Sequence, residues 1–212
     1  MRLKSLLYRG AEADVFLGRW CGRPAVFKRR KAMPYRLPAL DRAIRAQRTV
    51  REAEMVHRSK AVGVPSPLLY FVDPKHSTLV MEYVEGPRLK DLLDAPAAEP
   101  SALFEELGRD VARLHMAGIM HGDLTTSNVV LREGSLVFLD FGLSASTYRL
   151  EDRAVDLRLI KETVAGAHPA VAAPSMRALM EGYGSEAGAP ALKAVSRQLA
   201  DIERRGRYAR VE

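Results

Sequence analysis

Two short apolar runs near the middle of the chain bracket its most reactive side chains. The first is Ile119 to Leu131, which contains His121, Asp123 and Asn128; the second is Leu136 to Gly142, which contains Asp140. Only the polar stretch Arg132-Glu133-Gly134-Ser135 separates them, so the pair is expected to form a β-hairpin. If Leu131 faces Val137 across it, the register sets Asn128 opposite Asp140 at the open end. An amide oxygen and a carboxylate then converge, which suits a hard cation such as Mg²⁺. Asp123, one short loop upstream, is placed to face a nucleophile's hydroxyl instead of the metal. His121 taken alone is a weak signal, because a lone histidine before a glycine is more often a satisfied structural residue.

The elements that must position these groups follow from periodicity. Leu6 to Tyr8, Asp14 to Leu17 and Arg23 to Lys28 are expected as antiparallel strands, with a turn at Arg9-Gly10-Ala11-Glu12. A long helix is predicted from Ala39 to Ala61, with Leu40, Ile44, Gln47, Met55 and Val62 toward one side, ended by Val64-Pro65-Ser66-Pro67. Strands at Leu68 to Val72 and Thr78 to Tyr83 follow. Prolines and small residues around Glu85-Gly86-Pro87 and Asp94 to Pro100 mark a lobe boundary. Beyond it, helices are predicted from Ser101 (as N-cap) to Gly118, Asp152 to Ala165, Ser175 to Gly182, and Pro190 to Arg204. The expected fold class is α+β: a sheet-rich N-terminal lobe over residues 1–84 and a reduced helical lobe over 85–212, forming one domain.

Composition sets outer bounds. Of 212 residues, 47% are hydrophobic and 28% charged, the mixture of an ordinary globular protein and not of a disordered tail. A single cysteine, Cys21, forms no internal disulfide and removes thiolate zinc clusters from consideration. The start Met1-Arg2-Leu3-Lys4 leads into no apolar signal region, and no apolar run approaches a membrane span, so a cytoplasmic protein is expected. The net charge of +7 is carried mostly by arginine, which suits bidentate phosphate contacts.

The spacing from Asp123 to Asn128 in His121-Gly122-Asp123-Leu124-Thr125-Thr126-Ser127-Asn128, followed by Asp140-Phe141-Gly142, resembles the protein-kinase-like phosphotransferases, whose loop is H-x-D-L-x-x-x-N and whose metal motif is D-F-G. The resemblance implies ATP and Mg²⁺, with Asp123 catalytic and Asn128 and Asp140 on the metal, and makes His121 structural. It further implies that Lys28, ending the strand Ala25-Val26-Phe27, contacts the nucleotide phosphates, held by Glu52 or, as second choice, Glu54. Arg29, Arg30 and Lys31 are expected as exposed charge. The phosphate-covering loop is degenerate, with Gly10 its candidate contact and an ordinary turn glycine the alternative. By the same likeness the Glu82 carbonyl and Val84 amide bind adenine.

The chain departs from conventional protein kinases at Gly122, where they carry arginine, and in having only 72 residues after Asp140. Control by loop phosphorylation and a peptide-docking platform are therefore not expected. The H-G-D-L-T-T-S-N segment, Tyr35 to Asp41, Arg48 to Ala53, Glu151 to Leu157 and the Arg204-Arg205-Gly206-Arg207 tail are similar to the small atypical kinase of the KEOPS complex, the Bud/p53-related protein kinase family. That likeness implies an ATP-dependent Ser/Thr kinase or ATPase subunit. It would work with a threonylcarbamoyl-transferase subunit and a small regulatory subunit in making the threonylcarbamoyladenosine of tRNA. Asp156 is expected to brace the catalytic loop or, alternatively, to stabilise a helix dipole. Arg42, Arg45 and Arg48 on the long helix and Arg204, Arg205, Arg207 and Arg210 in the tail are candidate tRNA contacts. Rivals are a RIO-type kinase, a small-molecule phosphotransferase and a nucleotide-binding scaffold without turnover.

Overall fold

The computed structural model describes residues 2–95 and 100–208 of the chain. Five antiparallel strands come first: β1 (Arg2–Arg9), β2 (Ala13–Trp20), β3 (Arg23–Arg30), β4 (Leu69–Asp73) and β5 (Thr78–Glu82), in the order β1-β2-β3-β5-β4. The β2–β3 turn holds two residues, Cys21 and Gly22, both with positive φ, the geometry that matches strand twist in a tight hairpin. Alternation along β3 separates two faces. Ala25 and Phe27 pack with Val80, Phe16, Trp20 and Tyr70 on one, while Val26 joins Leu79, Met81 and Ala53 on the other.

That second face carries Lys28 and Arg30 toward α1 (Pro38–Ala61), a 24-residue helix opened by a proline whose missing N–H costs nothing at that position. Its buried residues are Asp41, Thr49, Glu52, Ala53, Met55, Val56 and Ser59. The expected stripe through Leu40 and Gln47 is not the buried one: both are exposed. The N-terminal part of the helix is fastened by charge, through Asp41 with Arg45 at 2.7 Å and Arg45 with Ser77 at 3.1 Å, so apolar periodicity was the wrong guide there.

After α2 (Leu89–Leu93) and α3 (Ser101–Met116) comes β6 (Ile119–Met120), a short 3₁₀ turn at Thr126–Asn128, and the hairpin of β7 (Val129–Arg132) and β8 (Ser135–Phe138). Its register differs by one residue from expectation: Leu131 pairs with Leu136 and Val130 with Val137. The connection is a two-residue turn, Glu133-Gly134, with both φ positive. Asn128 therefore lies opposite Leu139, whose N–H donates to the Asn128 carbonyl at 2.8 Å, and Asp140 stands one position beyond.

The remaining elements are β9 (Ala145–Ser146), paired with β6, then α4 (Leu150–Ala167), α5 (Pro169–Ala187) and α6 (Ala189–Tyr208). Ser101 is not an N-cap; Pro100 occupies that position and no side chain caps the helix. Helix α5 runs well beyond the predicted Ser175 to Gly182 and holds Pro174 inside it. Farther along, α3 and α5 approach so closely that Gly108 faces the Leu179 carbonyl and Gly182 the Glu105 carbonyl. One continuous apolar core runs from Met55 and Val56 of α1 through Phe104, Leu107, Phe138 and Phe141 to Val195 and Leu199 of α6, tying the sheet-bearing half to the helical half.

Candidate active site

Lys28 sits on β3 directly across the ladder from Leu79, with its ammonium between two carboxylates. Nζ lies 2.7 Å from Glu52 Oε1 and 2.5 Å from Asp140 Oδ1. Burial opposes the lysine's charge, but the two carboxylates outweigh it and raise its pKa. Glu54 points to solvent, so of the two candidates Glu52 is the partner. Arg30 corrects an expectation: it is buried, and its Nη2 meets Glu52 Oε2 at 2.5 Å. The two-residue period of a strand puts Arg30 on the same face as Lys28, a signal legible in the sequence and passed over in favour of a solvated charge run.

The loop after β6 is held from below by Asp156, the seventh residue of α4 and 1% exposed. Its Oδ2 accepts the His121 N–H at 2.6 Å and its Oδ1 the Gly122 N–H at 2.8 Å, while His115 Nε2 stands 3.2 Å away. That is the brace of the first alternative; a dipole role would need a place in the first turn. His115 also contacts the Tyr183 hydroxyl at 3.2 Å, extending the network to α5, and nothing in the sequence pattern signalled that pair. His121 is buried and structural. The Asp123 N–H donates to its Nδ1 at 3.3 Å, so Nε2 carries the proton and donates to the Leu139 carbonyl at 3.0 Å. Burial holds its pKa below the usual imidazole range, consistent with that neutral ring. Gly122 has φ +82°, and a Cβ there would stand 2.3 Å from the Leu143 carbonyl. The missing arginine is thus also a steric demand of this backbone.

Asn128 Nδ2 donates to both the backbone carbonyl and Oδ2 of Asp123, each at 2.9 Å. This clasp fixes the Asp123 carboxylate and turns the amide oxygen of Asn128 away from it. Asp140 adopts φ +55°, uncommon for a non-glycine residue, and its Oδ1 accepts the Gly142 N–H at 3.0 Å. Burial pushes the Asp140 carboxyl upward, yet the Lys28 ammonium prevails and its pKa is lowered. An ionised carboxylate and an amide oxygen at the open end of one hairpin are the donor chemistry of a hard cation. Among the described residues no group of three or more His, Cys, Asp or Glu forms a complete protein cage. The carboxylate and amide oxygens are chemically suited to Mg²⁺, an ion that commonly keeps water and phosphate oxygens in its shell.

The other expected contacts are less directly built. Gly10 makes a tight turn, its N–H donating to the Ala13 carbonyl at 2.9 Å. The Glu82 side chain is taken by Arg132 at 2.7 Å and the Leu68 N–H at 3.0 Å, and Val84 packs with Val130, Val137 and Leu139. The arginine stripe on α1 is a correction: Arg45 and Arg48 are engaged by Asp41 and Glu12, and of the three Arg42 alone is exposed. In the tail, Arg204 pairs with Asp201 at 2.5 Å and Arg205 with Glu151 at 3.0 Å. Arg210 and the Arg207 side chain lie outside the described residues.

Comparison with known proteins agrees with this geometry. The family model for the protein kinase domain matches residues 19–168. Among solved structures, the Rio2 kinase–ADP/Mg²⁺–phosphoaspartate complex of Chaetomium thermophilum covers 98% of this chain and 72% of its own at TM-score 0.65 and 15% identity, and WaaP in complex with acyl carrier protein covers 97% and 89% at TM-score 0.67 and 17% identity. The likeness to the Rio2 kinase establishes the kinase-like fold. Among curated relatives, a probable bifunctional tRNA threonylcarbamoyladenosine biosynthesis protein of Methanothermobacter thermautotrophicus is 40% identical over 96% of this chain, which spans only 36% of that longer protein. The KEOPS complex subunit Bud32 of Pyrococcus abyssi is 38% identical over 96% of both chains. A match end to end at that identity, over a kinase domain that includes Lys28, Asp123, Asn128 and Asp140, leaves one assignment: the chain belongs to the family of the KEOPS complex subunit Bud32, built on the protein kinase domain.

Proposed function

We propose that this chain is an ATP-dependent phosphotransferase, working chiefly as an ATPase, within a KEOPS complex that supports threonylcarbamoyladenosine modification of tRNA. The observation that carries the proposal is a pair of separately held groups, one tied to each strand end of the β7–β8 hairpin. One is the Asp123 carboxylate, clasped by Asn128. The other is Asp140, joined through Lys28 to Glu52.

In the mechanism, Lys28 exchanges Asp140 for phosphate oxygens of ATP while remaining on Glu52, and the Glu82 carbonyl and Val84 amide receive adenine. Asn128 and Asp140 hold Mg²⁺, which when bound neutralises charge on the phosphates. Asp123 orients the attacking hydroxyl of water or serine and takes its proton as the oxygen bonds to the γ-phosphorus and the bond to ADP breaks. Asp156 and His121 keep the loop rigid, so catalysis rests on positioning and charge neutralisation. A transferase subunit and a small regulatory subunit are the proposed partners, in the cytoplasm, in one domain divided near residue 84. Relatives named as bifunctional, in which the matching stretch belongs to a longer biosynthesis protein, support that partnership. The ion pairs on Arg204 and Arg205 are exposed and cost little to exchange for tRNA phosphates. Among the described residues no helix is long and apolar enough to cross a membrane.

The test is ATP turnover with and without the transferase subunit and tRNA. Asp123→Ala is expected to lower turnover by about 10²- to 10⁴-fold with nucleotide affinity retained, whereas Lys28→Ala and Asp140→Ala weaken nucleotide binding. Equal turnover by Asp123→Ala and the parent removes Asp123 from its role.

A further inference from the structure

The turn between β1 and β2 has a single glycine, Gly10, where a phosphate-covering loop of kinase type carries three, yet it is fastened from several directions. Lys31 Nζ donates to the Gly10 carbonyl at 2.5 Å and lies 3.6 Å from Asp14 Oδ1, and the Lys31 N–H donates to the Glu12 carbonyl at 2.8 Å. The Glu12 carboxylate reaches across to α1, where Oε2 accepts from Arg48 Nη1, and Oε1 stands 3.6 Å from Arg36 Nη2. Burial works against the Glu12 charge, but Arg48, with Arg36 and Arg30 behind it, keeps the carboxyl below its ordinary range.

This clamp sits where nucleotide phosphates would be covered. Ala13 pairs with Arg30 and Val15 with Lys28, so the turn begins two rungs, about 7 Å, beyond Lys28. Arg48 is one helical turn ahead of Glu52 on α1, so the same helix face holds the turn and the lysine. Arg30 joins them, with one guanidinium nitrogen on Glu52 and 3.4 Å from the Arg48 carbonyl.

Resting on the proposed ATP-dependent function, we infer that Glu12 is a positioning residue: its ion pair with Arg48 holds the glycine-poor β1–β2 turn against α1, so that the Ala11 and Glu12 N–H groups, and not the Gly10 N–H that the Ala13 carbonyl takes, stand preorganised for the β- and γ-phosphates. In glycine-rich loops, flexible backbone folds down on the phosphates after binding; here a charge clamp sets the conformation beforehand, lowering the ordering cost of binding. The clamp acts on the phosphate tail and not on the adenosine end.

The experiment compares dissociation constants of ATP and AMP, each with Mg²⁺, for the full chain and for Glu12→Gln, Arg48→Met and the double variant, by titration calorimetry, with ATP turnover of the parent measured alongside. Glu12→Gln is expected to weaken ATP about fivefold, the scale of a half-exposed ion pair, and AMP less than twofold. Arg48→Met should come close to it, and the double variant should be no worse than Glu12→Gln, because all three remove the Glu12–Arg48 pair and only loss of Glu12 also removes the weaker contact with Arg36. Thermal unfolding of each variant separates binding loss from misfolding. An unchanged ATP-to-AMP ratio in Glu12→Gln, or equal weakening of both nucleotides, overturns the clamp while leaving the proposed function intact if the parent still turns over ATP. A parent that neither prefers ATP to AMP nor releases phosphate overturns both.

Discussion

Glu52 is an anion that two buried cations share, and Glu52→Ala is expected to expose what that sharing is worth. Its carboxylate is 2% exposed, with Lys28 on Oε1 at 2.7 Å and Arg30 on Oε2 at 2.5 Å. Removing one partner of a buried pair costs about 3–5 kcal/mol, mostly because the survivor is left as an uncompensated ion. Two cations lose a partner here, but not equally. Lys28 retains Asp140 at 2.5 Å, whereas Arg30 keeps only the Arg48 carbonyl at 3.4 Å. The expected loss is therefore that of one stranded ion, about 3–5 kcal/mol and not double that figure. Urea unfolding followed by circular dichroism reads it as a midpoint lowered by about 1–2.5 M at a slope near 2–3 kcal/mol/M. Glu54→Ala, two residues away and exposed, is the control and should stay within about 0.5 kcal/mol. Replacing Arg30 and Glu52 together by methionine should recover much of the loss, since the stranded charge goes as well. A loss below about 1 kcal/mol for Glu52→Ala, or an equal effect of Glu54→Ala, refutes the shared-anion argument.

Other consequences can be measured independently. Asp156→Ala leaves the His121 and Gly122 N–H groups buried without an acceptor, at about 1–3 kcal/mol each; hydrogen exchange at those two amides should accelerate, and unchanged protection would exclude the brace. Gly182→Ala puts a Cβ 1.9 Å from the Glu105 carbonyl, so despite the roughly 1 kcal/mol gained in helix propensity the variant should lose about 1–3 kcal/mol of stability; a more stable variant would contradict the close α3–α5 crossing. Burial pushes the Asp110 carboxyl up to about 6 against the pull of Arg113. A raised folded-state pKa means stability present below pH 4 and lost as pH rises through 6, so the advantage of Asp110→Asn over the parent should grow by about 2–3 kcal/mol between pH 4 and 7. A difference flat with pH would refute that environment.

Local sequence already carried much of the site. Asp123, Asn128 and Asp140 stand at spacings that identify their segment, and Lys28 ends a strand whose alternation is plain. The strands and the long helix were legible because apolar period and turn residues are local properties. The hairpin register was not, since a turn of two residues or three fits the same polar stretch and the choice moved Asn128 from opposite Asp140 to opposite Leu139. Helix α5, expected only over Ser175 to Gly182, runs from Pro169 to Ala187 through Pro174, because its length is set by packing against α3.

What the linear chain determined by itself is the chemistry: which groups can bind phosphate, ligate a hard cation and take a proton. What the folded structure alone decided is how each charge is disposed of. Arg30, Arg45 and Arg48 belong to runs that look solvated, yet Arg30 is buried on Glu52, Arg45 serves Asp41, and Arg48 holds Glu12 in the β1–β2 turn. Spacing along the chain cannot distinguish an arginine in water from one in an ion pair, because the partner comes from an element distant in sequence. Only when β3, α1 and the turn are brought together do Arg30 and Glu52, both buried, and Arg48 and Glu12, both half-exposed, meet, and for the buried pair desolvation makes the meeting obligatory.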